Sequence, residues 1–251
     1  MRVVSLVPSW TETLLYCGVK VVGRTRYCIH PALQVNDIPI VGGTKDWDWP
    51  SVEALQPDIL ILDREENARF MGEQSTIPSH ITDITSMQDV QDALSALATK
   101  LAAPKLEALA TRWSRVVDQR TSAWDLTGPL PGLIEWGKFP AEPIHTILYM
   151  IWKDPWIAVS QRTFIGSMLH RLGIEIPVFA KQYQTIRLQD YDPQTTLILF
   201  SSEPYAFLQQ KEQLQSLGIP HAFVNGESFC WYGIRSLKFL EKELQSEQAM
   251  H

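Results

Sequence analysis

The run SMQDVQDALSALATKLAAPKLEALATRWSRVVDQRTSAW (residues 86–124) carries one proline and no glycine, and its apolar residues recur at helical spacing. Val90, Leu94, Leu97, Ala98 and Leu101 share one face, and Leu106, Leu109, Ala110, Trp113, Val116 and Val117 share another after Pro104. Pro104 has no amide hydrogen, so it suits a first helical turn and not an interior. The pattern predicts a shorter helix ending near Ala102 and a long one from Pro104 to Ser122, roughly 30 Å at 1.5 Å per residue. Gly128, Pro129, Pro131 and Gly132 then break the chain. The flanking sequence decides whether this is an ordinary amphipathic helix of one domain or a rigid spine between two lobes.

On the amino side, the β-branched run Val3–Val7 reads as a buried strand, followed by Pro8-Ser9-Trp10-Thr11-Glu12 and a helical run closed by Gly18. Ser9 reads as an N-cap, with Glu12 completing a capping box. Val21–Gly23, Ile59–Leu62 and Ile81–Ile84 read as further strands, and Ser51 as the cap of a short helix. On the carboxyl side, Leu133–Trp136, Trp156–Val159, Thr196–Phe200 and Ala222–Val224 read as strands. Thr163–Leu172, Phe207–Leu217 and Tyr232–Gln245 read as helices. Strands alternating with helices imply parallel sheets covered on both faces. The expected architecture is therefore α/β, with two Rossmann-like lobes joined by a long backbone helix. Residues 1–85 form the first lobe, 86–127 the connecting helices and 128–251 the second lobe.

The chain has 251 residues, 45% of them hydrophobic, which is ample for a real core. A net charge of −6, with no basic stripe, argues against nucleic acid as a partner. No apolar run approaches the roughly 18 residues of a membrane span. Met1-Arg2 leads straight into the first strand, so the expected location is the cytoplasm, or the periplasm or another extracytoplasmic space if an export signal has been trimmed. Cys17, Cys28 and Cys230 form neither a CxxC pair nor an even set, so neither a disulfide framework nor a zinc cluster is expected. Nine tryptophans are a heavy load, and large rings outside a core mark a binding surface.

The stretch Val4-Ser5-Leu6-Val7-Pro8-Ser9-Trp10-Thr11-Glu12 resembles the opening motif of the helical-backbone solute-binding proteins of ABC transporters, receptors for cobalamin, haem and iron siderophores. Val22-Gly23-Arg24, Val41-Gly42-Gly43 and Leu55-Gln56-Pro57-Asp58-Ile59-Leu60-Ile61 follow in that family's order. The resemblance implies two α/β lobes and a ligand in the cleft between them, with an ABC permease as partner and a monomeric receptor. Two departures stand out. Members are exported or lipid-anchored, whereas the expectation from Met1-Arg2 is a chain without an export signal. Members also dock on the permease through an acid in each lobe. Here Asp63-Arg64-Glu65-Glu66-Asn67 is followed by Arg69 where acid is expected, and Glu203 is the second-lobe candidate.

Ligands of open α/β sheets sit beyond the carboxyl ends of strands. The residues expected there are Pro8, Ser9, Trp10, Tyr27, Cys28, His30, Lys45, Trp47, Trp136, Glu203, Trp231 and Tyr232. Flat rings suit a flat chelate, where stacking adds about 0.5–1.5 kcal/mol beyond area burial. Cys28 and His30 could ligate the metal of a bound corrinoid or iron chelate, or Cys28 could be a small buried hydrophobe. Read as a nucleophile–base pair they are poorly spaced at i, i+2. GxSxG, HExxH, GxGxxG and P-loop motifs are all absent. The expectation is a binding protein for a metal chelate or corrinoid-like ligand, and not an enzyme. The alternative is a cytosolic enzyme or cofactor-trafficking factor on the same fold. Arg162 and Arg235 could each bind a ligand carboxylate or simply lie on a helix surface.

Overall fold

The computed structural model describes residues 1–73, 75–119 and 122–250, with side chains described as far as Ser246. The chain divides into two compact units, Met1–Asp118 with Trp231–Leu237, and Gln119–Cys230 with Lys238–His251.

The first unit runs β1 (Val3–Ser5), α1 (Pro8–Tyr16), β2 (Val21–Arg24), α2 (Ala32–Val35), α3 (Trp49–Ala54), β3 (Ile59–Asp63), α4 (Arg69–Glu73), β4 (Ser79–Thr82), α5 (Met87–Leu101) and α6 (Pro104–Asp118). Its sheet has the order β2-β1-β3-β4 with every pair parallel. A parallel sheet is covered on both faces, so its strands are apolar throughout and not alternating. Accordingly, Ile59, Leu60, Ile61, Leu62 and Asp63 are all buried. Val4, Leu6, Val41, Val52, Leu60, Leu62 and Met71 form one core cluster.

Helix α5 opens on a true capping box, in which Ser86 accepts from the Asp89 amide and Asp89 accepts from the Ser86 amide. It closes at Ala102 in the left-handed conformation (φ 50°). Pro104 then starts α6, as its missing amide hydrogen favours, and the two helices pack as a hairpin. Helix α6 spans 15 residues, about 22 Å. It ends at Asp118, short of the expected Ser122; Arg120 and Thr121 lie outside the described residues. Asp118 is a poor residue for continuing a helix at that end, because its carboxylate opposes the negative end of the macrodipole.

The second unit runs β5 (Leu133–Lys138), β6 (Thr146–Trp152), β7 (Ile157–Val159), α7 (Phe164–Arg171), β8 (Tyr183–Thr185), β9 (Thr196–Ser201), α8 (Lys211–Gln215), β10 (His221–Val224) and α9 (Gly226–Cys230). The final helix α10 (Ile234–Met250) follows, and its residues from Lys238 onward belong to this unit. The sheet order is β5-β10-β9-β6-β7-β8. Here β10, β9 and β6 run parallel, whereas β5 and β7 run against them. The central strand β6, Thr146-Ile147-Leu148-Tyr149-Met150-Ile151-Trp152, has no counterpart in the strands expected from sequence. Leu148, Met150, Ile198, Phe200, Phe207 and Phe223 anchor the core around it.

Candidate functional site

Four parallel strands end at one edge of the first sheet, and the segment 231–235 joins that edge within the same unit. Helix α1 starts there at Pro8, with Val7 as the N-cap residue and no side-chain cap. The expected Ser9–Glu12 capping box does not form, because Pro8 occupies the first helical position and shifts the helix start by two residues. Glu12 instead pairs with Arg235 through two hydrogen bonds of 2.9 Å, the guanidinium nitrogens donating to both carboxylate oxygens. The side chains are only 15% and 24% exposed, so solvent screens this fork less than a surface pair.

The Arg235 guanidinium also lies over the Trp231 ring, 5.2 Å from its centroid. The His30 imidazole meets the same indole edge-on at 5.1 Å. Beneath them Tyr232 is buried edge-on against Trp10, 5.1 Å between centroids. Trp10 donates through Nε1 to Thr82 Oγ1 at 2.9 Å, and the Thr82 hydroxyl lies 2.6 Å from Asp63 Oδ2 as its donor. Burial pushes the Asp63 carboxyl above its ordinary value, against the lowering effect of the Thr82 hydroxyl and of the Glu65 and Glu66 amides. Burial, and then the Asp63, Glu66 and Glu65 carboxyl groups, push the Tyr232 phenol well up. Gly233 lets this segment approach α1. At φ +90° it takes a backbone conformation that other residues avoid, and a Cβ there would meet Thr13 Oγ1 at 2.1 Å. Thr13 Oγ1 accepts from the Ile234 amide at 3.1 Å.

Asn67 clamps the neighbouring loops. Its Oδ1 accepts from the Asp63 amide at 2.8 Å, while its Nδ2 donates to the carbonyls of Leu6 (3.0 Å) and Thr44 (2.9 Å). The β3 loop, the end of β1 and the Gly43–Asp46 loop are thereby held together. Lys45 donates to the Glu65 carbonyl across the same junction. A cavity of about 480 Å³ opens beside the loop, lined by Asp63, Arg64, Asn67, Arg69, Glu73 and Ile81 among others.

The structure gathers the expected residues unevenly. His30, Trp231, Tyr232 and Trp10 form one connected cluster, with Pro8 and Ser9 at its base in the first turn of α1. Tyr27 is 53% exposed, under the Arg26 guanidinium at 5.7 Å. Trp47 leans on Trp49 (4.7 Å) and packs against the core cluster. Trp10 is fully buried, so it supports the surface without lining it.

Cys28 lies in the core of the first unit. It is 0% exposed, its Sγ lies 3.1 Å from the hydroxyls of Thr11 and Thr25, and burial raises its thiol pKa. A protonated thiol without access to solvent does not reach a ligand's metal, so Cys28 is a core residue that supports the loop carrying His30. Buried Arg24 completes that support by donating to the carbonyls of Val35, Thr25 and Cys28. Among the described residues no group of three or more His, Cys, Asp or Glu side chains is placed to hold a metal ion.

In the second unit, strand direction sets the edge at which Trp136 lies. β5 runs antiparallel to β10, with Trp136 opposite Ala222 and Lys138 opposite His221. The carboxyl end of β5, where Trp136 packs on Phe139 (4.8 Å), therefore lies at the edge opposite the ends of β9 and β10. The edge that does gather those ends carries Trp152 against Tyr205 (5.4 Å) and Trp156 stacked on Phe207. Glu203 lies there too, accepting from the Cys230 thiol at 2.9 Å.

These two α/β units match solved structures over nearly their whole length. A periplasmic haem-binding protein of Pseudomonas aeruginosa aligns with a TM-score of 0.70 at 18% identity, covering 98% of this chain and 92% of that one. IsdE of S. aureus, solved with haem, gives 0.69 at 16% identity over 98% of both chains. The periplasmic vitamin B12 binding protein BtuF of Vibrio cholerae gives 0.68 at 17% identity over 99% and 96%. The fold is that of the helical-backbone solute-binding proteins. No protein-family profile and no curated protein matches the sequence. Among the described residues no helix is long and apolar enough to cross a membrane.

Within this solute-binding fold, the sequence alone underweighted Glu12, Asp63, Thr82 and Asn67. Glu12 and Arg235 lie 223 positions apart, so no local pattern could pair them. Asn67 did carry a signal: a small amide directly after a run of charges at a strand end, the usual position for a loop clamp.

Proposed function

We propose that this chain is a ligand-binding protein whose cargo is a flat, partly apolar metal chelate of the corrinoid, haem or siderophore class. The observation that carries the reading is the run His30–Trp231–Arg235 at the carboxyl edge of the first sheet. There an imidazole, an indole and a guanidinium sit on a buried, hydrogen-bonded base. Such a surface offers a stacking face, a guanidinium whose pairing with Glu12 holds it over the indole, and one imidazole for the metal or the ring. The rigid base suits binding, because groups fixed before the ligand arrives lose little entropy on contact. His30, Tyr27, Lys45, Trp231 and Arg235 are the contacts assigned to the ligand. An ABC permease is the partner that this reading implies, and an ABC transporter substrate-binding protein of Listeria monocytogenes is among the structures similar in fold.

The test is a titration of the purified protein with hemin and with cyanocobalamin, followed by tryptophan fluorescence and by ligand absorbance. At least one should give saturable quenching with Kd near 1 μM or tighter, about 8 kcal/mol. Linear, unsaturable quenching with both, and unchanged ligand spectra, would contradict the reading.

A further inference from the structure

The second unit carries a groove that the chelate reading does not use. The loop 122–131, the end of α7 and one side of α10 enclose about 340 Å³. That volume is at the lower end of small-molecule sites. Its apolar walls are Trp124, Pro129, Pro131 and Leu172, and Ser122, Thr127 and Ser246 line it beside them. The loop is fixed: the Trp124 amide donates to the Gly173 carbonyl at 2.9 Å, and Trp124 Nε1 donates to the Pro129 carbonyl at 3.0 Å. Two carboxylates line the groove, and they are not equivalent. Asp125 accepts from both the amide and the hydroxyl of Thr127, which completes a local turn. Glu243 is half-buried, and among the described residues no hydrogen bond or ion pair reaches its carboxylate. Burial raises its pKa; the charge working against that is Lys242, the next residue on the same helix. None of the described lining residues is Lys, Arg or His.

A half-buried carboxylate beside an apolar wall loses part of its hydration, and a cation delivered by a ligand offsets that loss. We propose that this groove binds a small apolar organic cation of the alkyl- or arylammonium class. The ammonium meets Glu243, and the apolar body packs against Trp124, Pro129 and Leu172. Carboxylate pairing gives the charge preference, and the indole adds a cation–π or packing contribution. The groove lies wholly in the second unit, so this site stands or falls apart from the chelate reading.

The test uses the intact protein with its tryptophans labelled by nitrogen-15, the Trp124 indole resonance being assigned with Trp124→Phe. The probe is 2-phenylethylammonium chloride, with 2-phenylethanol and phenylacetate as the neutral and anionic counterparts. The ammonium should shift the Trp124 resonance saturably, with Kd of about 1 mM or tighter. The alcohol and the acid should bind at least about tenfold more weakly. Glu243→Gln, shown by its unchanged melting curve to be folded, should weaken the ammonium by about tenfold and leave the alcohol unaffected. Equal binding of all three probes, an ammonium affinity unchanged in Glu243→Gln, or no saturable shift at Trp124 would each overturn the proposal.

Discussion

In the first unit all four strands run the same way, so every strand ends at one edge and each loop after a strand contributes to one surface. In the second unit β5 and β7 run against β6, β9 and β10, so loops that follow strands divide between two edges. The polar chemistry differs accordingly. The first edge is tied by a connected network, Trp10–Thr82–Asp63 below and Glu12–Arg235 above, with Asn67 joining three loops. The second edge combines ring contacts, Trp152–Tyr205 and Trp156–Phe207, with shorter polar links in which Tyr149 donates to Ser201, Ser201 to the Glu203 carbonyl and Cys230 to the Glu203 carboxylate. A satisfied polar network fixes side chains in one arrangement, which suits recognition of a ligand with defined shape. Ring packing holds an edge together with less directional demand.

If the comparison is right, equivalent tryptophan truncations should have unequal effects. Trp10→Ala removes a fully buried ring and leaves Thr82 without its indole donor, so unfolding free energy should fall by about 3–5 kcal/mol in urea titrations. Trp136→Ala, on a half-buried edge strand, should cost about 1 kcal/mol. Equal losses would mean that the two sheets are braced alike.

The next test concerns the buried carboxyl of the first edge. The folded pKa of Asp63 is raised above its unfolded value, so its contribution is fully present below the unfolded pKa. It is lost as pH rises through the folded pKa. Asp63→Asn keeps the shape and has no such titration. The stability of Asp63→Asn relative to the native protein should therefore increase as pH rises through that window, then level off. A relative stability that instead declines with rising pH would show that Asp63 is stabilised as the anion, and the network would need a different charge state.

A smaller effect separates the cysteines. Cys28 is buried in the first unit with a raised thiol pKa, whereas Cys230 in the second is partly exposed. An aromatic disulfide reagent should label Cys230 first in the native protein, and Cys28 only on unfolding. Fast labelling of Cys28 would restore it as a candidate ligand.

The same comparison explains how far the sequence could be read. Val3–Val7 and Ile59–Leu62 were legible as strands because β-branched runs bounded by turns have few other uses in an α/β chain. The Pro104 helix start was legible because proline has only one comfortable place in a helix. Thr146–Trp152 was missed: a central strand buried on both faces does not alternate, and its flanks carry no helix to frame it. The Ser9–Glu12 box failed because Pro8 competes for the same turn, while the Ser86–Asp89 box has no such rival. The edge at which Trp136 lies was illegible, since strand direction is a property of the sheet and leaves no mark on a single strand. The cluster around Trp231 was half legible. Its rings were expected at the site, but its Arg235–Glu12 fork joins the two ends of the chain.

The most direct test of the account is the affinity for whichever of hemin or cyanocobalamin binds, measured in four proteins: native, His30→Ala, Trp231→Ala and Trp136→Ala. The account predicts that His30→Ala and Trp231→Ala each weaken binding by more than about tenfold, 1.4 kcal/mol, while Trp136→Ala binds like the native protein. Binding that survives in the first two variants and fails in Trp136→Ala would place the ligand away from the first sheet's edge and contradict the account.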